Sequence, residues 1–120
     1  SPGLDVREQR VLILDDEVSI ADFVGLYLEN EGAEIITVNN KVELVEQITL
    51  NDKIDIFITD MILPDLSGRE AVNLVLDKFP KTKIFSISGY IAIEDRTWEY
   101  PVLRKPFNSK ELAEFLAQPV

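Results

Sequence analysis

Two neighbouring acids, Asp15 and Asp16, close the apolar run "RVLILD", and a third, Asp60, closes "IDIFITD". A hydroxyl, Ser88, ends "TKIFSIS", and an amine, Lys105, ends "YPVLRK". The chain has no cysteine and no histidine. Thiolate metal sites, disulfides, a Ser-His-Asp triad and a histidine zinc site are therefore excluded. A metal here would take hard oxygen ligands, which points to magnesium, calcium or manganese. Acids that approach one another raise one another's pKa, and a divalent cation removes that conflict. Magnesium keeps several waters and is commonly shared with phosphate oxygens. Three carboxylates, a hydroxyl and an ammonium about one point suggest phosphoryl transfer. An acid would be the nucleophile, with a metal clamp and further groups neutralising the phosphoryl oxygens.

These residues are far apart in sequence, so the elements between them must bring them together. Residues 10–15, 33–38, 54–60, 82–88 and a short piece of 100–105 read as strands, several of them nearly continuous apolar runs of the kind buried on both faces. Between them lie helical patterns. Ile20, Phe23, Val24, Tyr27 and Leu28 form a stripe, with Gly32 placed as a C′ residue. Asn39 or Asn40 can cap a second helix with the stripe Val42, Val45 and Ile48. Ser67 and Glu70 have capping-box spacing before Ala71, Leu74, Val75 and Phe79, and Pro80 stops that helix. Asn108 and Glu111 repeat the spacing before Leu112, Phe115 and Leu116. Alternating strands and helices predict a parallel sheet covered on both faces, with ligands bound outside the carboxyl ends of the strands. All five residues fall at those ends.

A chain of 120 residues, 46% hydrophobic and 28% charged, is a single globular domain. No apolar run approaches the roughly 18 residues of a membrane span, and "SPGLDVREQR" does not read as a secretory signal. Residues 1–9 read as a disordered lead-in, in part a cloning remnant, before a domain over 10–120. The net charge of −10 argues against direct nucleic-acid binding. The lack of cysteine fits a reducing, cytoplasmic setting.

"LDDE" (14–17), "TDMILPDLSG" (59–68), "SG" (88–89) and "KPF" (105–107), in this order on successive strand ends, resemble the receiver domain of two-component response regulators, over residues 10 to about 118. The resemblance implies a flavodoxin-like, doubly wound five-stranded sheet in the order 2-1-3-4-5. It implies that Asp60 accepts a phosphoryl group from the phosphohistidine of a sensor kinase or phosphotransfer protein. Asp15 and Asp16, Asp60 itself and the backbone carbonyl of Ile62 would hold Mg2+, or Mn2+ in its place. Ser88 and Lys105 would stabilise the phosphoryl oxygens, and Pro106 would be cis. Such a domain turns over no free substrate. It switches a face read by a downstream protein target or a fused domain.

Three features depart from the family's pattern. Val102 stands where an aromatic switch residue is usual, with Tyr100 two positions away on the same side. Ser88 and Lys105 are 17 residues apart (105 − 88), short by about one helical turn, so the fourth helix is expected to be stunted, irregular or mobile. Ile62 and Tyr90 are bulky at positions that tune dephosphorylation, which predicts a slow loss of the phosphoryl group. Two rivals are a degenerate receiver acting as a phosphorylation-independent binding module, and a haloacid-dehalogenase-type phosphatase. The latter needs a second acid where Ile62 stands. Taken alone, Asp16 or Asp60 is better explained as a solvated turn residue or a helix N-cap; the functional reading rests on all the strand ends together. Asp65 is read as a turn residue of "LPDLSG"; Glu17 is read as either an outer-shell group of the site or an early helical acid, the second being preferred. Trp98 marks either a partner surface or a side chain folded back over the short fourth-helix region.

Overall fold

A computed structural model describes residues 5–89 and 96–118. Five strands, β1 (Arg10–Leu14), β2 (Glu34–Val38), β3 (Ile56–Asp60), β4 (Lys83–Ser88) and β5 (Val102–Arg104), form one sheet in the order β2-β1-β3-β4-β5, every pair parallel. This is the flavodoxin-like arrangement expected from the sequence. Among the described residues four helices, α1 (Val18–Asn30), α2 (Lys41–Leu50), α3 (Gly68–Lys78) and α4 (Ser109–Ala117), cover its faces.

Alternation along the strands divides the core in two. Val11, Ile13, Ile56, Ile58, Phe85 and Ile87 point to one side, where they meet Ala21, Val24 and Leu28 of α1 and Leu112, Phe115 and Leu116 of α4. Leu12, Leu14, Phe57 and Ile84 point to the other and meet Leu44 and Ile48 of α2 and Ala71, Val72 and Val75 of α3. The central strand, β3, is buried at all five positions, which is why its sequence is apolar until its last two residues.

Local signals set the helix ends. Gly32, with φ +94°, follows the C-cap Glu31 of α1 in the left-handed conformation that glycine adopts without a Cβ clash. The Asn40 side chain accepts from the amide of Glu43 and starts α2. The Ser67 hydroxyl does the same for α3 with Glu70, whose carboxylate turns to Lys41 at 2.7 Å. Asn108 and Glu111 form a full capping box on α4.

The expected stripe on α2 holds at Ile48 and is corrected at Val42 and Val45. Leu44 and Ile48 face the core, while Val42 is 74% and Val45 41% exposed. A helix of ten residues carries two apolar stripes here, and the pair with the larger side chains removes more apolar surface from water. Phe23 of α1 sits at the rim, and the small residues Ala21 and Gly25 take the buried places instead. Of the lead-in read over 1–9, residues 5–9 are described. Val6 is buried in the α1/α4-side core, and the Glu8 amide donates to the Gly32 carbonyl.

The expected short fourth helix falls on 89–100, where residues 90–95 lie outside the described residues. The described 96–101 hold a turn at 96–97 and no helix. Trp98 folds back, as one of its two readings anticipated. Its indole Nε1 donates to Ser86 Oγ at 3.0 Å. Its ring meets Tyr100 edge-on at 5.3 Å, and the Arg69 guanidinium lies 5.0 Å from its centroid.

Candidate functional site

The strand order places the ends of β1 and β3 side by side, with β4 and then β5 beyond them. Asp15 and Asp16 follow β1, Asp60 is the last residue of β3, Ser88 the last of β4, and Lys105 follows β5. One carboxylate oxygen from each of Asp15, Asp16 and Asp60 lies within 4.8 Å of the other two.

Asp15 and Asp60 are held by backbone. The Asp15 amide donates to the Val38 carbonyl, and the Asp15 carbonyl accepts from Asn39 Nδ2 at 2.9 Å. Asp15 Oδ1 accepts from the Glu17 amide at 2.9 Å. Its Oδ2, fully buried, has no hydrogen bond and faces the Lys105 ammonium at 3.0 Å. The Met61 amide donates to the Ile87 carbonyl at 3.0 Å, tying down the backbone just after Asp60. Asp60 Oδ1 receives a long contact of 3.5 Å from the Ile62 amide, and Oδ2 accepts from Lys105 Nζ at 3.2 Å. Asp16 is exposed.

Burial raises the Asp60 pKa, and the nearby charge of Asp15 raises it further. The charge and hydrogen bond of Lys105 and the Ile62 amide pull it back, leaving it at about 6. For Lys105, burial works to lower the pKa. Contacts with Glu17 and Asp15 and the charge of Asp60 outweigh it and hold the amine protonated above the usual lysine range.

Lys105 is placed by its own backbone: its amide donates to the Ser88 carbonyl at 2.8 Å, and its bond to Pro106 is cis. Ser88 is buried at the same sheet edge, where Asp60 is in register with its neighbour Ile87. Ile62 forms an isolated bridge with Ser67 and is 43% exposed. Tyr90 lies outside the described residues. Val102 is half-buried in β5 opposite Ser86, and the nearby ring, Tyr100, packs on Trp98 rather than toward the strand ends. Asp65 accepts from the Lys41 amide at 2.9 Å, bracing the start of α2 away from the three acids.

Sequence reasoning placed the early helical acid ahead of an outer-shell role for Glu17, and the contact with Lys105 favours the outer-shell role. Glu17 is not simply a first-turn acid. It is the N-cap residue of α1, its side chain makes no capping bond, and its carboxylate accepts from Lys105 at 2.9 Å. A signal was available: glutamate is not among the usual N-cap residues. Asn39 was read only as a candidate cap, and its grip on the Asp15 carbonyl has no signature in a single sequence.

The donor set fits a divalent cation. All the side-chain ligand atoms are carboxylate oxygens, and among the described residues Lys105 alone is ion-paired with Asp15, Asp60 and the neighbouring Glu17.

Comparison with known proteins agrees with this geometry. The family model "Response regulator receiver domain" matches residues 11–117. The cell cycle response regulator CtrA of Brucella ovis is 32% identical over 108 residues, 86% of this chain and 46% of that protein. The CAI-1 autoinducer sensor kinase/phosphatase CqsS of Vibrio cholerae is 31% identical over 84 residues, 70% of this chain and 12% of that protein. The chain thus spans less than half the length of these two curated relatives. Among solved structures, the chemotaxis response regulator CheY4 of Vibrio cholerae superposes with a TM-score of 0.78 at 26% identity, covering 91% of this chain and 96% of that one. A CheY-like receiver domain protein from Methanospirillum hungatei gives 0.78 at 28%, covering 89% of each. A parallel sheet in the order 2-1-3-4-5, an acidic pocket at its carboxyl edge and a family match over nearly the whole chain lead to one conclusion: the chain belongs to the response regulator receiver domains of two-component signalling.

Proposed function

We propose that this receiver is phosphorylated on Asp60 by a histidine-kinase or phosphotransfer partner, in a reaction that depends on Mg2+. The observation that carries the reading is the convergence of Asp15, Asp16 and Lys105 on the carboxylate of Asp60. An Asp60 oxygen attacks the phosphorus of the phosphohistidine, a P–O bond forms, the P–N bond breaks, and the departing imidazole nitrogen takes up a proton. Lys105, held protonated, neutralises a phosphoryl oxygen, and Ser88 donates to another. Asp15, Asp16, Asp60 and the Ile62 carbonyl would hold the metal, which when bound screens the acids and shares phosphoryl oxygens. The domain, over residues 10–120, acts by changing what a downstream target or fused domain binds, in the cytoplasm, and turns over no free substrate. Among the described residues no helix is long and apolar enough to cross a membrane.

The test is intact mass after incubation with acetyl phosphate and magnesium. One added phosphoryl group on the native chain, absent from Asp60→Ala, is expected. No gain on either would leave a binding module, and steady release of phosphate would indicate a phosphatase. Ile62, with Tyr90, is proposed to hinder the water that hydrolyses the acyl phosphate. We expect a half-life of minutes or more by phosphate release, shortened by Ile62→Asn; a native half-life of seconds would contradict this.

A further inference from the structure

We propose that Glu17 is a positioning residue that gives the Lys105 ammonium a partner on the solvent side, so that the lysine can yield the oxygens of Asp15 and Asp60 to a divalent cation. The proposal rests on the reading of Asp15, Asp16 and Asp60 as cation ligands.

Glu17 occupies the N-cap of α1 with extended backbone (φ −82°, ψ 100°), the place where serine, threonine, aspartate or asparagine normally bonds the first helical turn. It makes no such bond. Its contribution lies elsewhere. The Glu17 amide is fixed to Asp15 Oδ1, which anchors its backbone to the site, and its carboxylate takes the Lys105 ammonium at 2.9 Å. Lys105 is thereby strung between two environments. Glu17 has a side chain 58% exposed, while Asp15 and Asp60 are 0% and 8% exposed.

That asymmetry has a consequence for a cation arriving at the acids. Cation and ammonium seek the same oxygens, since Lys105 contacts Asp60 Oδ2 and faces the otherwise unbonded Asp15 Oδ2. An ammonium with an 11% exposed side chain cannot leave those oxygens without another partner, because an unpaired charge in that position is costly. Glu17 is that partner. Without it, the lysine pairs with Asp15 and Asp60 alone and competes directly for the pocket.

The experiment is calorimetric titration of magnesium chloride into the full chain at about 0.15 M salt, with the lysine-free background separating a relay through Lys105 from the direct charge effect of Glu17. Four proteins are compared: native, Glu17→Ser, Lys105→Met and the double variant. Serine supplies the N-cap bond that glutamate does not make, so the fold is retained or improved, and a thermal melt checks this. We expect Glu17→Ser to weaken magnesium binding by roughly three- to tenfold when Lys105 is present and by less than about twofold in the Lys105→Met background, a coupling typical of residues in direct contact. An unchanged affinity in Glu17→Ser overturns the proposal, and so does an equal loss in both backgrounds, which is a simple charge effect not relayed by the lysine. If the native chain takes up no magnesium, the cation reading of the acids fails, and this proposal fails with it.

Discussion

Asp60 is ionised against its surroundings: burial and the neighbouring Asp15 favour the neutral acid, and Lys105 recovers only part of the loss. With a folded pKa of about 6 against an ordinary 3.8, the native chain binds this proton more readily than the unfolded chain does. The group's stabilising contribution is therefore fully present below about pH 3.8 and is lost as pH rises through about 6. At neutral pH the charged carboxylate opposes folding by on the order of 1–2 kcal/mol, after discounting for solvent screening. Asp60→Asn, which keeps the shape without the charge, is expected to be more stable than the native chain by about that amount at pH 7.5. The gain should vanish toward pH 4, in urea melts without added divalent cation. A pH-independent difference would show that the charge at Asp60 is not what is relieved. The acids, Ser88 and Lys105 were legible because each interrupts an apolar run at a strand end. Glu17 was legible only as the second of two readings, because its contact is with Lys105, 88 residues away, and leaves no mark on local spacing.

At the scale of elements, strands and caps were easier to read than helix faces. Asn108 with Glu111 and Ser67 with Glu70 act within four residues, so their spacing carries the information. The inward face of α2 does not: Val42 with Val45 and Leu44 with Ile48 are both helical pairs, and only packing against the sheet decides between them. Lys78 has the same character. Its ammonium, at the end of α3, donates to the carbonyls of Ile48 at 2.7 Å, Asn51 at 2.8 Å and Thr49 at 3.3 Å. Those carbonyls belong to the C-terminal end of α2, where unpaired oxygens and the negative end of the helix dipole both favour a cation. Lys78→Met is expected to cost about 1–3 kcal/mol of stability in denaturant melts, since it strands carbonyls on a neighbouring helix. It should leave magnesium affinity unchanged, as this contact lies at the other end of the strands from Asp15 and Asp60. A loss below about 0.5 kcal/mol, the level of an ordinary surface change, would show that water replaces the ammonium freely.

For the molecule as a whole, the parallel order β2-β1-β3-β4-β5 gathers Asp15, Asp16, Asp60, Ser88 and Lys105 onto one edge. That order was legible from alternating apolar runs and helical stripes. The path between β4 and β5 was not, because a shortened connection has no standard geometry to infer. In that connection Trp98 rests against Gly68, where an added Cβ would sit 3.3 Å from the indole and 2.9 Å from Met61 Cα. The Gly68 amide donates to the Met61 carbonyl at 2.8 Å, and Met61 follows Asp60 directly. Trp98 is the only tryptophan in the chain, so the protein carries a built-in optical probe one backbone contact away from the residue that follows Asp60. Its emission should change as magnesium fills the pocket and again on treatment with acetyl phosphate, with both responses lost in Trp98→Phe. Constant emission would mean that the Met61–Gly68 contact stays rigid throughout. If it responds, charge arriving at the sheet edge can be followed in real time, without a label, as light from the opposite side of Gly68.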